Sequence, residues 1–386
     1  MRYDFDTVID RRHSDSTKWR HFPDDVISLW TADMDFRSPQ PVVDALHERV
    51  EHGVFGYCPE FDALGDAVAE RMERLHGWHI TRRDILWQTG VVHALHAVCR
   101  AVVAQHDAVL YQTPVYPPIH TAPAHTDRVG VGALLTERPD GRYEIDFDRF
   151  EAAVTPATRL FILCNPHNPV GRVFERWELE RLADACLRHN LLICSDEIHA
   201  DLVFSGFAHT PIASLSQEVA ARTITLIAPS KTFNLAGLRC SFAIVQDPGL
   251  RRAIRVGEGR EFSEVNVLGQ VAALAAYRAG QDWLDQLLRY LEANRDRVTS
   301  FVREELPGTG TTPVEATYLA WLDCRAAGIQ GSPYEFFLER GRVGLQDGAW
   351  FGPGGEGFVR LNFGCPRAVL EEALMRMKRA FENPSR

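Results

Sequence analysis

The sequence predicts an α/β protein, with a large domain built on a mostly parallel sheet flanked by helices and a smaller α+β domain attached to it. Three observations carry this reading. "AVLYQTP", "RLFILCNP", "LLICSDE" and "TITLIAPSK" are short, almost continuous apolar runs that each end in polar residues, the pattern of strands buried on both faces. Between the second and third runs, "ERWELERLADACLRHN" places apolar residues at 179, 182, 183 and 186 on an otherwise polar background, so a helix crosses between parallel strands. A long amphipathic segment, "WLDQLLRYLEANRDRVTSFVREEL", then forms a rigid link into the smaller domain.

The remaining elements follow in order. "SPQPVVDALHERVEHG" reads as a helix with Ser38 as N-cap, Pro39 at the first helical position and Gly53 as the stop. "QTGVVHALHAV" reads as a glycine turn that opens a helix. "VNVLGQVAALAAY" is interrupted by Asn266 and Gln270 and falls short of a membrane span, so it reads as a buried helix. "TYLAWLDC" and "FVRLNFG" supply strands of the smaller domain. The large domain is expected to take residues 45–280, and the small domain 1–44 and 281–386, with the first 40 or so residues folded onto it.

Composition narrows the function. A chain of 386 residues with net charge −10 lacks the basic balance expected of a protein whose main partner is nucleic acid or an anionic membrane. Its N-terminal stretch is charged throughout and has no apolar core of a signal peptide. Eight cysteines are scattered without a CxxC pair, as expected of reduced thiols in a cytoplasmic protein. His93 and His96 have the spacing of metal ligands on a helix, but no third ligand accompanies them and no metal site is expected. "GPGGEG" near residue 352 reads as a turn.

The basic residues are unusually one-sided: of 42, only Lys18, Lys231 and Lys378 are lysines. A loop lysine is ordinarily a solvated charge that arginine can replace. Arginine cannot serve as an amine nucleophile, whereas a desolvated lysine can. Lys231 stands just beyond the fourth apolar run, and ligands of open α/β sheets bind beyond the carboxyl ends of the strands. Tyr116, Asn168 and Asp196 hold the corresponding positions after the other runs, and the steps from Asn168 to Asp196 and from Asp196 to Lys231, 28 and 35 residues, are each close to one βαβ unit. A carboxylate facing a lysine there is either a buried ion pair or part of a site.

A pyridoxal 5′-phosphate site needs an amine, an acid for the ring nitrogen, a donor to the ring hydroxyl, a stacking ring and a phosphate cradle. Lys231, Asp196, Asn168 and Tyr116 are candidates for the first four. The backbone N–H groups of Val91 and Val92, with Ser230 and Arg239, are candidates for the cradle. His199 is a candidate partner behind the cofactor.

"WTADMDF", "FGYCP", "CNPHNPVG", "SDEIHADL", "SKTFNLAGL", "EATYLAWLDCR" and "FVRLNFGCPR" together resemble the aspartate aminotransferase superfamily of fold type I, and within it the MalY/PatB-type cystathionine β-lyase branch, also called cysteine C–S lyases. The resemblance runs from about residue 4 to residue 380. It implies that Arg360 grips the substrate α-carboxylate, with Ala32 and Asn168 on the substrate side. It also implies that Tyr57 acts in catalysis by reaching the phosphate of the neighbouring subunit, so that the protein is a homodimer with shared sites. Thr31, His93 and Ala228 depart from the residues usual in this branch, where valine, proline and serine stand.

The expected activity is therefore α,β-elimination of cystathionine or a cysteine S-conjugate to thiol, pyruvate and ammonia. Its alternatives are an aminotransferase of the same fold and a natural-product enzyme acting on a bulky cysteine conjugate by elimination or by decarboxylation coupled to deamination. A binding protein with a purely structural cofactor has no need of the amine.

Overall fold

The computed structural model describes residues 2–258 and 264–382. Its centre is a seven-stranded sheet made of β1 (Ile85–Gln88), β2 (Ala108–Thr113), β3 (Val129–Leu134), β4 (Thr158–Cys164), β5 (Leu192–Asp196), β6 (Thr223–Ile227) and β7 (Ser241–Ile244), in the spatial order β1-β7-β6-β5-β4-β2-β3. Strands β3, β2, β4, β5 and β6 are mutually parallel, and β7 runs antiparallel to both β6 and β1. The four apolar runs of the sequence are β2, β4, β5 and β6. Every residue of β6 is buried, as expected for a strand covered on both faces.

Register decides where the chemistry falls. Cys164 of β4 lies opposite Asp196 of β5, and Asp196 lies opposite Leu226 of β6. Three consecutive strands thus end at one level, and the segments that follow them open onto one edge of the sheet.

Helices cover both faces. They include α1 (Gln40–Glu51), α2 (Asp62–His76), α3 (Val91–Val102), α4 (Pro117–His125), α5 (Arg176–Arg188), α6 (Val267–Ala279) and the long α7 (Gln281–Glu305). The start of α1 differs from expectation: Pro39 is the N-cap, and Ser38 turns away to donate its hydroxyl to the Asn234 carbonyl at 3.2 Å. Helix α3 has Gly90 as N-cap and no side-chain cap.

A second, four-stranded sheet is formed by Gly310–Thr311, β8 (Leu319–Asp323), β9 (Gln346–Asp347) and β10 (Phe358–Asn362), with β10 antiparallel to both β8 and β9. The N-terminal segment joins this part of the molecule, because Ile27–Ser28 pairs in parallel with Val343–Gly344. Glu315, just ahead of β8, ties the two sheets together: its carboxylate accepts from Arg142 at 2.8 Å, Arg172 at 3.2 Å and the Val173 amide at 2.8 Å. Among the described residues no helix is long and apolar enough to cross a membrane.

Candidate active site

The shared edge of β4, β5 and β6 opens into a cavity of about 810 Å³. Tyr116, Asn168, Asp196, His199, Ser230, Lys231, Arg239 and Arg360 all line it, together with Ala32, Val91 and Val92. Tyr57 does not: it is fully exposed on a separate surface groove with Phe55, Gly56 and Cys58.

Asp196 is the last residue of β5 and is buried. One carboxylate oxygen accepts from the Ile198 amide at 3.2 Å, and the other has no hydrogen-bond partner among the described residues. Burial pushes its pKa up to about 7, with the Ile198 amide and then Lys231 pulling the other way. A carboxyl in that position is suited to share a proton with a ring nitrogen.

Lys231 sits on the short helix Pro229–Thr232, directly after β6. Its amine donates to the Ala32 carbonyl at 2.5 Å. Burial lowers its pKa to about 8, with Arg360 adding to the effect while Asp33 and Asp196 oppose it. The neutral, nucleophilic amine is therefore accessible in the physiological range.

Arg360, in the middle of β10, is buried and makes two fixed contacts, to Asn168 Oδ1 at 3.0 Å and to the Trp30 carbonyl at 2.9 Å. Its Nε is buried without a partner among the described residues. A guanidinium held in this way presents its fork to an anion rather than to a resident carboxylate. The same contact orients Asn168, whose side-chain nitrogen is left without an acceptor among the described residues.

At another wall the uncapped first turn of α3 places the backbone at Val91 and Val92 on the cavity. Free amides at a helix N-terminus favour an anion such as phosphate. Ser230 and Arg239 line the same cavity. His199 is buried with Nδ1 unpartnered among the described residues, and burial first, then Lys231 and Arg360, lower its pKa to about 3, so the ring is neutral. Taken together, an amine, an acid with an open oxygen, an amide donor, a tyrosine ring and a helix N-terminus match every requirement of pyridoxal phosphate.

The cavity also holds residues that sequence reasoning passed over or read differently. Gln346, Trp350 and Phe351 line it, the first from β9 and the other two from the turn that follows. Gln346 stands directly opposite Arg360 in the sheet register, a pairing that no local pattern reveals. His93 lines the cavity too, while His96 stacks on His125 with ring centroids 5.6 Å apart. No group of three metal-ligating side chains occurs among the described residues.

Fold and cavity define an α/β enzyme with a lysine–aspartate pair at the carboxyl edge of its sheet. The aminotransferase class I and II family profile matches residues 24–377, and the chain belongs to that family. It is 40% identical to cystathionine β-lyase PatB of Bacillus subtilis over 384 residues, covering 97% of this chain and 99% of that one. Its fold superposes on the crystal structure of cystalysin from Treponema denticola, which contains a pyridoxal 5′-phosphate cofactor, with a TM-score of 0.96 at 32% identity over the full length of both chains. The crystal structure of OvoB gives a TM-score of 0.94 at 44% identity, covering 98% of this chain and 99% of that one.

Proposed function

We propose that this protein is a pyridoxal phosphate-dependent carbon–sulfur lyase that cleaves cystathionine or a cysteine S-conjugate into a thiol, pyruvate and ammonia. The observation that carries this reading is the meeting of Lys231, Asp196 and Arg360 in one cavity beside an uncapped helix N-terminus. The likeness to cystathionine β-lyase PatB along nearly the whole chain favours sulfur as the leaving atom.

When bound, the cofactor supplies an aldehyde for the substrate amine and a ring that delocalises the electron pair left at Cα. Asn168 would donate to its ring hydroxyl, Tyr116 would supply a stacking ring, and Asp196 would keep a proton on the ring nitrogen. The α3 amides at Val91 and Val92, with Ser230 and Arg239, would hold its phosphate. Arg360 takes the substrate carboxylate and so fixes the orientation of the Cα–H bond. Lys231, whose burial lowers its proton affinity, accepts the Cα proton on its amine. The Cβ–S bond then breaks with its electron pair leaving on sulfur, and water completes the release of pyruvate and ammonia.

The enzyme acts in the cytoplasm as a homodimer in which Tyr57 of each subunit reaches the other's phosphate. The full exposure of Tyr57, beside exposed Val54 and Phe55, supports this arrangement.

The test supplies cystathionine, cystine and several S-alkyl cysteines, and follows pyruvate, ammonia, thiol and keto acid together. Pyruvate and thiol in equal amounts, without an added keto acid, are expected. A requirement for a keto-acid acceptor, with the thioether returned intact, identifies an aminotransferase instead. Borohydride reduction of the yellow protein should fix the cofactor on the peptide containing Lys231.

A further inference from the structure

Among the described residues the Ala32 carbonyl has two donors. One is the Lys231 amine at 2.5 Å and the other is the hydroxyl of Tyr318 at 2.9 Å. Tyr318 is almost completely buried, and its ring meets that of His199 edge-on, with centroids 6.0 Å apart.

The carbonyl cannot turn away from either donor, because the loop around it is pinned on both sides. Asn362 donates to the carbonyls of Thr31 at 2.6 Å and Asp33 at 2.8 Å, Arg360 to that of Trp30 at 2.9 Å, and Lys18 to that of Asp33 at 3.2 Å. Asn234 brackets Met34, accepting from its amide at 3.1 Å and donating to its carbonyl at 3.0 Å.

Tyr318 is fixed equally firmly from its own side. Thr317, the residue before it, has φ +74°, a left-handed conformation that a β-branched residue rarely adopts. Such conformations persist where the surroundings over-determine them, and they gather at functional sites. Here the Thr317 amide donates to the Leu202 carbonyl at 2.7 Å, and its hydroxyl accepts from the Leu319 amide at 3.1 Å.

We propose that Tyr318 is a positioning residue that sets the proton affinity of Lys231 by sharing the Ala32 carbonyl with it. The inference rests on Lys231 being the proton acceptor of the proposed lyase. A carbonyl oxygen that already accepts from a phenol has less electron density to offer an ammonium, so the second donor is held less tightly in its charged form. Burial pushes the phenol's own pKa far up, so it remains a neutral donor throughout the working range. The other groups that act on Lys231 are Asp33, Asp196 and Arg360, with neutral His199 beside them. None of these competes for the same oxygen. By this arrangement Tyr318 lowers the proton affinity of the amine and so raises the fraction of Lys231 whose lone pair is available to accept the Cα proton.

The test is Tyr318→Phe, which removes one oxygen and keeps the ring. In the cofactor-free full-length protein, the pH dependence of amine acylation is read peptide by peptide by mass spectrometry. The surface lysine Lys378 serves as the internal reference in the same digests. The midpoint for Lys231 should rise by about one pH unit, an effect of the size expected when a hydrogen bond to a charged form is strengthened. In the holoenzyme the acid limb of kcat should move upward with it. Tyr318→Leu removes the same donor and carries the same expectation if the phenylalanine variant does not fold. A Lys231 midpoint that stays within about 0.3 unit of wild type, or falls, overturns the proposal. Failure of the lyase reading is a separate result: the wild-type protein then requires a keto-acid acceptor and releases no thiol, whatever the acylation midpoints.

Discussion

Burial moves Asp196 and Lys231 towards neutrality from opposite sides, and the cofactor-free protein carries that cost. Asp196 titrates near 7 when folded against an ordinary 3.8, so the folded chain binds more protons between those values. Raising the pH through that window therefore removes stability. Lys231 titrates near 8 when folded against 10.5, so the unfolded chain binds more protons between 8 and 10.5, and raising the pH there restores stability. Both costs act in full between about pH 7 and 8. Asp196→Asn, which keeps the shape without the charge, should raise the melting temperature of the cofactor-free protein at pH 7.5 by a few degrees, roughly 2–4 °C per kcal/mol for a large domain. The gain should shrink at pH 5, where folded Asp196 is already protonated. The same variant should lose most turnover as holoenzyme, because an amide cannot hold the ring nitrogen protonated. Equal melting temperatures at pH 7.5 would show that the carboxylate is not desolvated.

Above the single residue, the element that organises the site is the 30–35 loop, and the N-terminal segment holds it. Lys18 is completely buried and donates to Asp35 at 2.8 Å, while Arg11 and the Trp19 indole donate to the other oxygen of the same carboxylate at 2.6 and 2.9 Å. Lys18→Met removes a buried charged hydrogen bond but leaves Asp35 held by Arg11 and the Trp19 indole, so it should cost about 1.5–3 kcal/mol in urea denaturation. Lys378 pairs with Glu305 at 2.6 Å on the surface, where solvent screening leaves an ion pair little net worth, and Lys378→Met should cost far less than Lys18→Met. Comparable costs for the two variants would remove the N-terminal segment from its supporting role. The scarcity of lysine in the sequence drew attention to Lys231 but gave no means of separating it from Lys18. Asp35 lies 17 residues away with no periodic relation, so only the tertiary fold brings the pair together. Strands β2, β4, β5 and β6 were legible because double-sided burial makes their sequences continuously apolar. The residues after them were legible as a group because parallel strands in register end together. Ser38 was misread as a cap because its hydroxyl is claimed by Asn234. Trp350 and Phe351 escaped notice because β9 and its turn reach the cavity only through pairing with β10.

At the scale of the whole molecule, one assigned residue stands outside the site of its own chain. Tyr57 is wholly exposed, and Val50, Val54 and Phe55 near it are more than half exposed. An apolar run of this kind, next to a tyrosine that does not line the cavity of its own chain, is accounted for if a second copy covers it and receives the tyrosine. Symmetry then makes the arrangement testable, because a two-fold dimer exchanges the same contribution in both directions. Tyr57→Ala and Lys231→Ala should each be nearly inactive alone. In a hybrid dimer the subunit that retains Lys231 receives an intact Tyr57 from the Lys231→Ala subunit, so one of the two sites is complete. Random exchange makes about half the dimers hybrid, so activity should recover to roughly a quarter of wild type after mixing and partial unfolding. Recovery depends on subunit exchange, so mixing without unfolding should restore activity slowly or not at all. If Tyr57→Ala alone is fully active, or if the protein sediments as a monomer at working concentration, the tyrosine serves no neighbouring site and each chain's cavity is complete in itself.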